Sequence, residues 1–555
     1  MEKITPVNRF FRLLKPDSRE IRNVYIYAIF NGLVALSLPL GIQAIVNLIQ
    51  GGSISTSWIV LVCIVVFGVA ASGLLRIAQL RITENLQQKI FTRAAFEFAY
   101  RIPKIKLEEI YNKYAPELMN RFFDVISVQK GLAKILIDFS AAGLQVVFGL
   151  ILLSFYHPFF IIFSMILIAL VLAIFRFTAK KGLMTSLRES KYKYEVVYWL
   201  EEIARTSNAF KLAGKTNLHL RRTDKNVGNY LKEREAHFKV LVRQYYLLII
   251  FNVIVAAGLL ALGGILVMEQ LMNIGQFIAA EIIILLIMNS VEKLIVSLET
   301  IYDVLTSVEK IAQVTDLEIE NEDGIDLKEE CSECGLELRL ENMSFNYPGN
   351  EKQALKNIDL KIGAGEKIVI AGENGSGKST LLQLIGSLYT PTEGMLFYNN
   401  VSQSSLDLCS VHTVIGDSIS QEELFEGTIV ENITIGRPDA TMENVKWAIE
   451  KLGLSDYVSH LPKGYETVLD PTGRKMPRSI SQKLLLARSI VIKPKLLLLE
   501  DAFEHFEIEE RQRIVDFLTA KENSWTMVAV SSDPYLSSKV DRVLIMKQGK
   551  ILNPQ

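Results

Sequence analysis

The sequence predicts a two-part fold: an all-α polytopic membrane domain of six spans with long cytoplasmic helical extensions, followed by an α/β domain carrying a phosphate-binding loop. Three observations predict it. Long uncharged segments recur in pairs over the first 290 residues. The basic stretches between the pairs are long and helical in pattern, without strand signals. A glycine-rich loop then stands between the apolar run Lys367-Ile368-Val369-Ile370 and the helical run Leu381-Leu382-Gln383-Leu384-Ile385. Bulk composition agrees, because half of the 555 residues are hydrophobic and mean hydropathy is +0.25, more apolar than average soluble composition. Sixty basic against sixty-one acidic residues leave nothing that points to nucleic acid as the main partner.

In chain order, Thr5 to Lys15 mixes cationic and apolar residues at helical spacing, and it is expected to lie along the membrane surface. From Asn23 to Leu75 there is no Asp, Glu, Lys or Arg, which is length for two spans of about 20 residues, with the turn at Gly51-Gly52-Ser53. A second pair fits between Phe139 and Arg176, turning at His157-Pro158, and a third fits Gln244 to Met268 and Leu271 to Ser290. The tight turns near Gly51, His157 and Asn273 contain no Lys or Arg, whereas the other connections contain many, so the basic segments are assigned to the cytoplasm. Segments 76–138 and 176–243 then fold as antiparallel helix pairs reaching roughly 40 Å into the cytoplasm. Their tips fall near Leu107 to Tyr111 and Asn208 to Gly214. Polar span residues such as Gln43, Asn47, Gln145 and Asn252 suit either ligand contact or helix packing. Glu281, the one acid inside the last span, is either a substrate contact or a charge in a wet vestibule near the outer end.

The acidic stretch Leu317 to Gly324 reads as a connector. It sets expected domains of 1–315 (membrane), 316–335 (linker) and 336–555 (nucleotide-binding). Cys331-Ser-Glu-Cys334 has metal or redox spacing, but no second such pair or paired histidines accompany it, and a fortuitous pair is the simpler reading. Strands are expected at Leu336 to Leu340, Leu355 to Ile362, Thr526 to Val530 and Arg542 to Met546, with a helical middle over roughly 441 to 490.

The loop Gly372-Glu373-Asn374-Gly375-Ser376-Gly377-Lys378-Ser379-Thr380 has the spacing at which backbone N–H groups close on phosphate oxygens at a helix start. Lys378 reaches the outer phosphates and Ser379 the Mg2+. An ordinary glycine turn is the alternative, but the preceding strand, fixed spacing and following helix all agree. Lys495-Leu-Leu-Leu-Leu499-Glu500-Asp501 reads as a buried strand carrying two carboxylates to its C-terminal edge, where ligands of parallel sheets bind.

Six spans with cytoplasmic hairpins, joined to a phosphate-loop domain, resemble an ABC exporter half-transporter over essentially the whole chain. Gly275-Gln276-Phe277 and the stretch from Trp199-Leu200-Glu201-Glu202 to Gly214 are similar to the bacterial type I secretion group. The resemblance implies ATP and Mg2+ as cofactors and a bacterial inner-membrane location in contact with lipid. It also implies a second half-transporter, with a heterodimer favoured, and a periplasmic adaptor as a further partner. It makes Tyr347, in Phe345-Asn346-Tyr347-Pro348, the adenine-stacking residue. Gly372, Asn374, Gly375, Ser376, Gly377, Lys378, Ser379 and Thr380 become the rest of the nucleotide cradle, and Ser379, Gln421 and Glu500 the Mg2+ contacts. Gln421 is assigned from Leu424-Phe-Glu-Gly-Thr-Ile-Val-Glu-Asn-Ile433, one residue shorter than the family's usual stretch.

Departures from the family cluster on hydrolysis. Met476-Pro477-Arg478-Ser479-Ile480 stands where the family has Leu-Ser-Gly-Gly-Gln, so a proline and an arginine replace the groups that cap the partner's nucleotide. Glu500-Asp501 stands for Asp-Glu, leaving Asp501 a methylene short as a weak general base, and Ser532 occupies the switch-histidine position. The expected function is an ATP-binding exporter subunit for a peptide, protein or lipophilic compound, whose own hydrolytic site is impaired. The alternatives are an ATP-sensing regulatory or channel-like subunit and an inner-membrane docking scaffold.

Overall fold

The computed structural model describes residues 5–50, 56–328, 335–419, 423–470 and 476–552. The turn at Gly51 to Ser53, the pair Cys331/Cys334 and Gln421 lie outside the described residues. The chain divides into two compact units, Met1–Pro103 with Tyr114–Leu317, and Lys104–Lys113 with Glu318–Gln555.

The first unit is helical. Its main elements are α1 (Pro6–Leu14), α2 (Ser18–Ala35), α3 (Ser37–Gln50), α4 (Thr56–Arg101), α5 (Phe123–Lys134), α6 (Ser140–Ser154), α7 (Pro158–Arg205), α8 (Leu218–Met268) and α9 (Ile274–Thr315). Among the described residues, six helical stretches are long and apolar enough to cross a membrane, as the uncharged pairs predict. The break between α2 and α3 at Leu36 precedes Pro39, whose missing N–H leaves the carbonyl of Ala35 without its helical donor. A π-helical turn, Ile135–Phe139, joins α5 to α6. The turns are closed by side chains: His157 Nδ1 accepts from the Phe159 N–H at the start of α7. Asn273 and Gln276 form a reciprocal capping box at the start of α9. Past their apolar segments α4, α7 and α8 continue without interruption, so that Arg76 to Arg101 alone adds roughly 40 Å.

Close approach and buried polar pairs hold these helices together. A Cβ on Gly131 would stand 2.2 Å from Val304, and one on Gly182 would stand 2.4 Å from the Tyr302 ring, so α5 and α7 lie against α9 closely enough that a side chain there would clash. Gln244 Nε2 donates to Thr178 Oγ1 (3.0 Å) and to Tyr302 Oη (2.9 Å), linking α7, α8 and α9. Gln43 accepts from Tyr156 Oη (2.6 Å), in the turn between α6 and α7, and Gln145 of α6 accepts from Ser290 Oγ of α9 (3.0 Å), so both are engaged with neighbouring elements.

The position of α1 differs from the expectation of a helix on the membrane surface. Phe10 and Leu13 pack beside Val304, Val308 and Ile311, and Arg9 pairs with Glu309 (3.2 Å) and Asp316. These α9 residues lie roughly 15–35 Å beyond the end of its uncharged segment. Apolar positions read as lipid-facing are therefore spent on the cytoplasmic extensions of α4, α5 and α9; Phe11 remains exposed.

The second unit is α/β. Its labelled elements are β1 (Leu338–Phe345), β2 (Leu355–Ile362), β3 (Lys367–Gly372), α10 (Lys378–Ile385), β4 (Glu393–Tyr398), β5 (Ile415–Ser418), α11 (Arg478–Ile490), β6 (Leu496–Glu500), β7 (Thr526–Val530), β8 (Arg542–Lys547) and β9 (Lys550–Leu552). A six-stranded sheet runs β9-β8-β3-β7-β6-β5, parallel except for the β8–β9 hairpin. A second, antiparallel sheet runs β2-β1-β4 and ends on the short strand Val401–Ser402. Every residue of β6 and β7 is buried, consistent with central parallel strands covered on both faces. The acidic stretch after residue 317 is not free of this unit: Leu327 is fully buried in its core, and Ile325 bridges to Leu406. Spaced apolar residues anchor an otherwise polar segment.

Candidate functional site

At the C-terminal edge of the parallel sheet, β3 turns into α10 through residues 372–378. Glycine is required for two different reasons. A Cβ on Gly372 (φ +149) would meet the Met546 carbonyl at 2.3 Å, and one on Gly377 (φ +103) would meet the Ala354 carbonyl at 2.9 Å. Gly375 has open space but φ +77, a conformation costly for an L side chain. The loop thus wraps tightly with its N–H groups at the start of a helix, where the dipole favours anions. Lys378 Nζ donates to the Gly372 and Glu373 carbonyls (2.9 and 3.0 Å), which holds the ammonium across the loop. Ser376 Oγ is buried with no hydrogen-bond partner. Such an orphan inside a loop of amides and one cation fits a bound phosphate. Ser379 follows Lys378 in the first turn of α10, half-buried, and Asn374 is exposed at the loop's crest.

Glu500 ends β6, 8% exposed, and sits beside the same edge. The next residue, Asp501, turns the chain with φ +45 and donates its N–H to the Val530 carbonyl (3.0 Å). Partial burial, with the neighbouring carboxylates of Glu504 and Glu500, raises the Asp501 carboxyl above its ordinary range, while the Lys378 ammonium pulls it back. The structure therefore brings the phosphate loop and this carboxylate pair together. Ser532 is exposed just after β7. Pro477 starts α11 with no side-chain cap, Arg478 is exposed at its first turn, and Met476 and Ile480 pack against the apolar core beneath.

Tyr347 is half-buried after β1. Its hydroxyl bonds to Thr380 Oγ1 (2.9 Å) and donates to Gln383 Oε1 (3.2 Å). Thr380, expected in the nucleotide cradle, is thus engaged with the tyrosine. One face of the Tyr347 ring is covered by Tyr111, centroids 4.8 Å apart and planes 16° from parallel. Tyr111 belongs to the stretch 104–113, which sits in the second unit although it interrupts the first in sequence. Lys106 N–H donates to the Glu318 carbonyl (3.0 Å) and Glu320 N–H to the Lys104 carbonyl (2.7 Å), so that Ile105 and Ile319 bridge antiparallel. Glu108 accepts from the Thr390 N–H (2.8 Å), and Asn112 Nδ2 donates to the Pro348 carbonyl (3.2 Å). Hairpin length and the position of its tip were legible in sequence. Tyr111, Glu108 and Asn112 as contacts were not; an aromatic at the tip was the only signal.

Residues 355–504 match the protein family described as ABC transporter. That stretch, running from β2 past β6, is an ABC transporter domain. The structure of a bacterial Atm1-family ABC exporter with ATP bound superimposes with a TM-score of 0.85 at 17% identity, over 97% of this chain and 94% of that one; at that identity the likeness is one of fold. An ATP-dependent lipid A-core flippase of Chromohalobacter salexigens is 33% identical over 215 residues, 39% of this chain and 37% of the flippase. The transport/processing ATP-binding protein ComA of Streptococcus pneumoniae is 25% identical over 344 residues, 59% of this chain and 46% of ComA. The chain therefore spans less than half the length of these curated relatives. The six spans and the ABC domain make this a multi-pass membrane protein with a cytoplasmic ATP-binding domain.

Proposed function

We propose that this chain is one half of an ABC exporter, in which Mg·ATP bound on the 372–380 loop works through the docked segment 104–113 on the helices to either side of it. The carrying observation is that segment: it leaves α4, packs into the ATP-binding unit against Tyr347, and returns toward α5. In this reading Lys378 and the loop amides hold phosphates, Ser379, Gln421 and Glu500 surround Mg2+, and the base stacks at the Tyr347 ring. Mg2+ would supply charge neutralisation between the outer phosphates. Turnover draws on a different partner half, because Pro477-Arg478, Asp501 and Ser532 would combine in both sites of a homodimer and complete neither. The cargo belongs to the broad range that the relatives' names span, a lipid on one side and the load of a transport/processing protein on the other.

A second reading, an ATP-sensing subunit without transport, is favoured by the same three departures taken together. Two measurements on the full chain in lipid separate the readings. Mg·ATP affinity is expected to be retained and abolished by Lys378→Ala. ATP-driven uptake into inverted vesicles is expected only when a half-transporter with consensus motifs is co-expressed. Unchanged affinity in Lys378→Ala would refute the phosphate-loop reading, and absence of uptake with any such partner would leave the sensor as the function.

A further inference from the structure

The cytoplasmic stretches of α5, α7, α8 and α9 enclose a cleft of 440 Å³, within the size range of small-molecule sites. Its lining is unusual. Gly131 apart, every residue that lines it carries a hydroxyl or a charge, whereas sites for drugs or lipids are lined mainly by apolar side chains. The cleft lies roughly 10–25 Å beyond the apolar segments of its four helices, so a solute reaches it from the cytoplasm without entering lipid.

The floor is buried and mostly self-satisfied. Asp124, 3% exposed, accepts from Tyr194 Oη and Ser307 Oγ, and Ser186 Oγ bonds to Thr306 Oγ1 at 2.8 Å. Ser190 is the exception: it is 7% exposed, lines the cleft, and its Oγ has no hydrogen-bond partner. A buried hydroxyl without a partner costs stability unless something in the cleft completes it.

Charges on the walls set the complement. Arg234 pairs with Glu189 (3.1 Å), and Lys193 stands 4.0 Å from Asp124. Lys130, Lys134 and Asp303 remain, none with an ion pair or hydrogen bond among the described residues. The two lysines lie one helical turn apart on α5, about 6 Å between Cβ atoms. Asp303 faces the same space from α9.

We propose that this cleft binds a small zwitterion with two carboxylates and one ammonium, an acidic amino acid or acidic di- or tripeptide. Lys130 and Lys134 each take a carboxylate, Asp303 takes the ammonium, and the Ser190 hydroxyl completes its hydrogen bonding on the ligand. Binding stands on this geometry alone; calling the ligand cargo rests on the exporter reading above.

The test is binding of tritiated glycylglutamate to the full chain in nanodiscs of phosphatidylethanolamine and phosphatidylglycerol, with ATP affinity measured in parallel. Saturable binding is expected. Glycylglutamine and the Lys130→Gln/Lys134→Gln variant are each expected to weaken it by about tenfold or more, the loss of a charge-assisted pair. N-acetyl-glycylglutamate, which lacks the ammonium, is expected to bind as weakly to the native protein as glycylglutamate binds to Asp303→Asn, with no further loss when that variant meets the acetylated peptide. Ser190→Ala is expected to weaken glycylglutamate without altering ATP affinity. Absence of saturable binding up to about 10 mM, an affinity too weak to be specific, overturns the proposal. So does binding that the lysine variant leaves unmoved. A change of oligomeric mass in the lysine variant, with peptide binding unaltered, overturns it by assigning the cleft to a subunit contact. In each of these outcomes ATP affinity and vesicle uptake still report separately on the exporter reading.

Discussion

Single residues decide whether the ATP-binding edge can also cut ATP. Gly372 and Gly377 stand where a side chain would clash, the Lys378 ammonium is held on the loop carbonyls, and Ser376 has a buried oxygen without a partner. Asp501 is different in kind. It sits where the sheet edge delivers a carboxylate, with its affinity for protons raised by partial burial and by Glu500 and Glu504; a raised carboxyl suits a base, but its reach is one methylene short. The chain alone is therefore expected to turn over ATP slowly in lipid. Replacing Asp501→Glu, Pro477→Ser, Arg478→Gly and Ser532→His together is expected to raise turnover by about 10²-fold or more, the scale of general-base contributions. If the unaltered chain already turns over briskly and Asp501→Asn abolishes it, the reading of an impaired site is wrong. The residues of the loop were readable from spacing, because a phosphate cradle is a local structure. The burial of Thr380 under Tyr347 was not, since it depends on a ring 33 positions away.

Elements carry the link between ATP and helices. Residues 104–106 and 318–320 pair around the Ile105–Ile319 bridge, with the Glu320 side chain near Glu108, Lys104 and His412. Burial, then the Glu108 carboxylate, push the Glu320 carboxyl up to about 7, Lys104 opposing. Burial also lowers the His412 imidazole, so that ring does not offset the carboxylate at neutral pH. The sign follows from linkage. The folded form holds a proton that the unfolded form releases near 4.5, so the contribution is intact below that pH and is lost as pH rises through about 7. Hydrogen exchange corrected for intrinsic rates is expected to show weaker protection of the Lys106 and Glu320 amides at pH 8 than at pH 6. Glu320→Gln is expected to remove that difference; equal protection at both pH values in the native chain would contradict it. Tyr111→Ala is expected to lower protection of the same amides at any pH by about 1 kcal/mol, the worth of an aromatic pair, whereas Tyr111→Phe retains it. Sequence reading placed the tip of this hairpin near Leu107 to Tyr111 from its length, but it placed α1 on the lipid surface. The amphipathic pattern of α1 is real; what it faces was decided by Val304, Val308 and Ile311, distant in the chain.

For the whole molecule, topology is the property most open to direct test. In a background without the four native cysteines, Cys63, Cys331, Cys334 and Cys409, Leu271→Cys is expected to react with an impermeant maleimide from outside the cell, and Lys211→Cys only after permeabilisation. The reverse pattern would invert the orientation. Sequence by itself determined the six spans, their cytoplasmic extensions and the phosphate loop, because uncharged length, basic connections and glycine spacing act over ten to thirty neighbouring residues. It left β4 and β5 unread: Glu393–Tyr398 and Ile415–Ser418 are short, and they become strands by pairing with β1 and β6. Tertiary structure alone decided which polar residues would be satisfied. It joined Gln244 to Thr178 and Tyr302, closed Tyr111 over Tyr347, and gathered Lys130, Lys134, Asp303 and an unpartnered Ser190 from three helices into one cleft. Hydrophobic periodicity says which face of a helix is buried, but the partner of a buried hydroxyl or charge is set by whichever distant residue packing brings within about 3 Å.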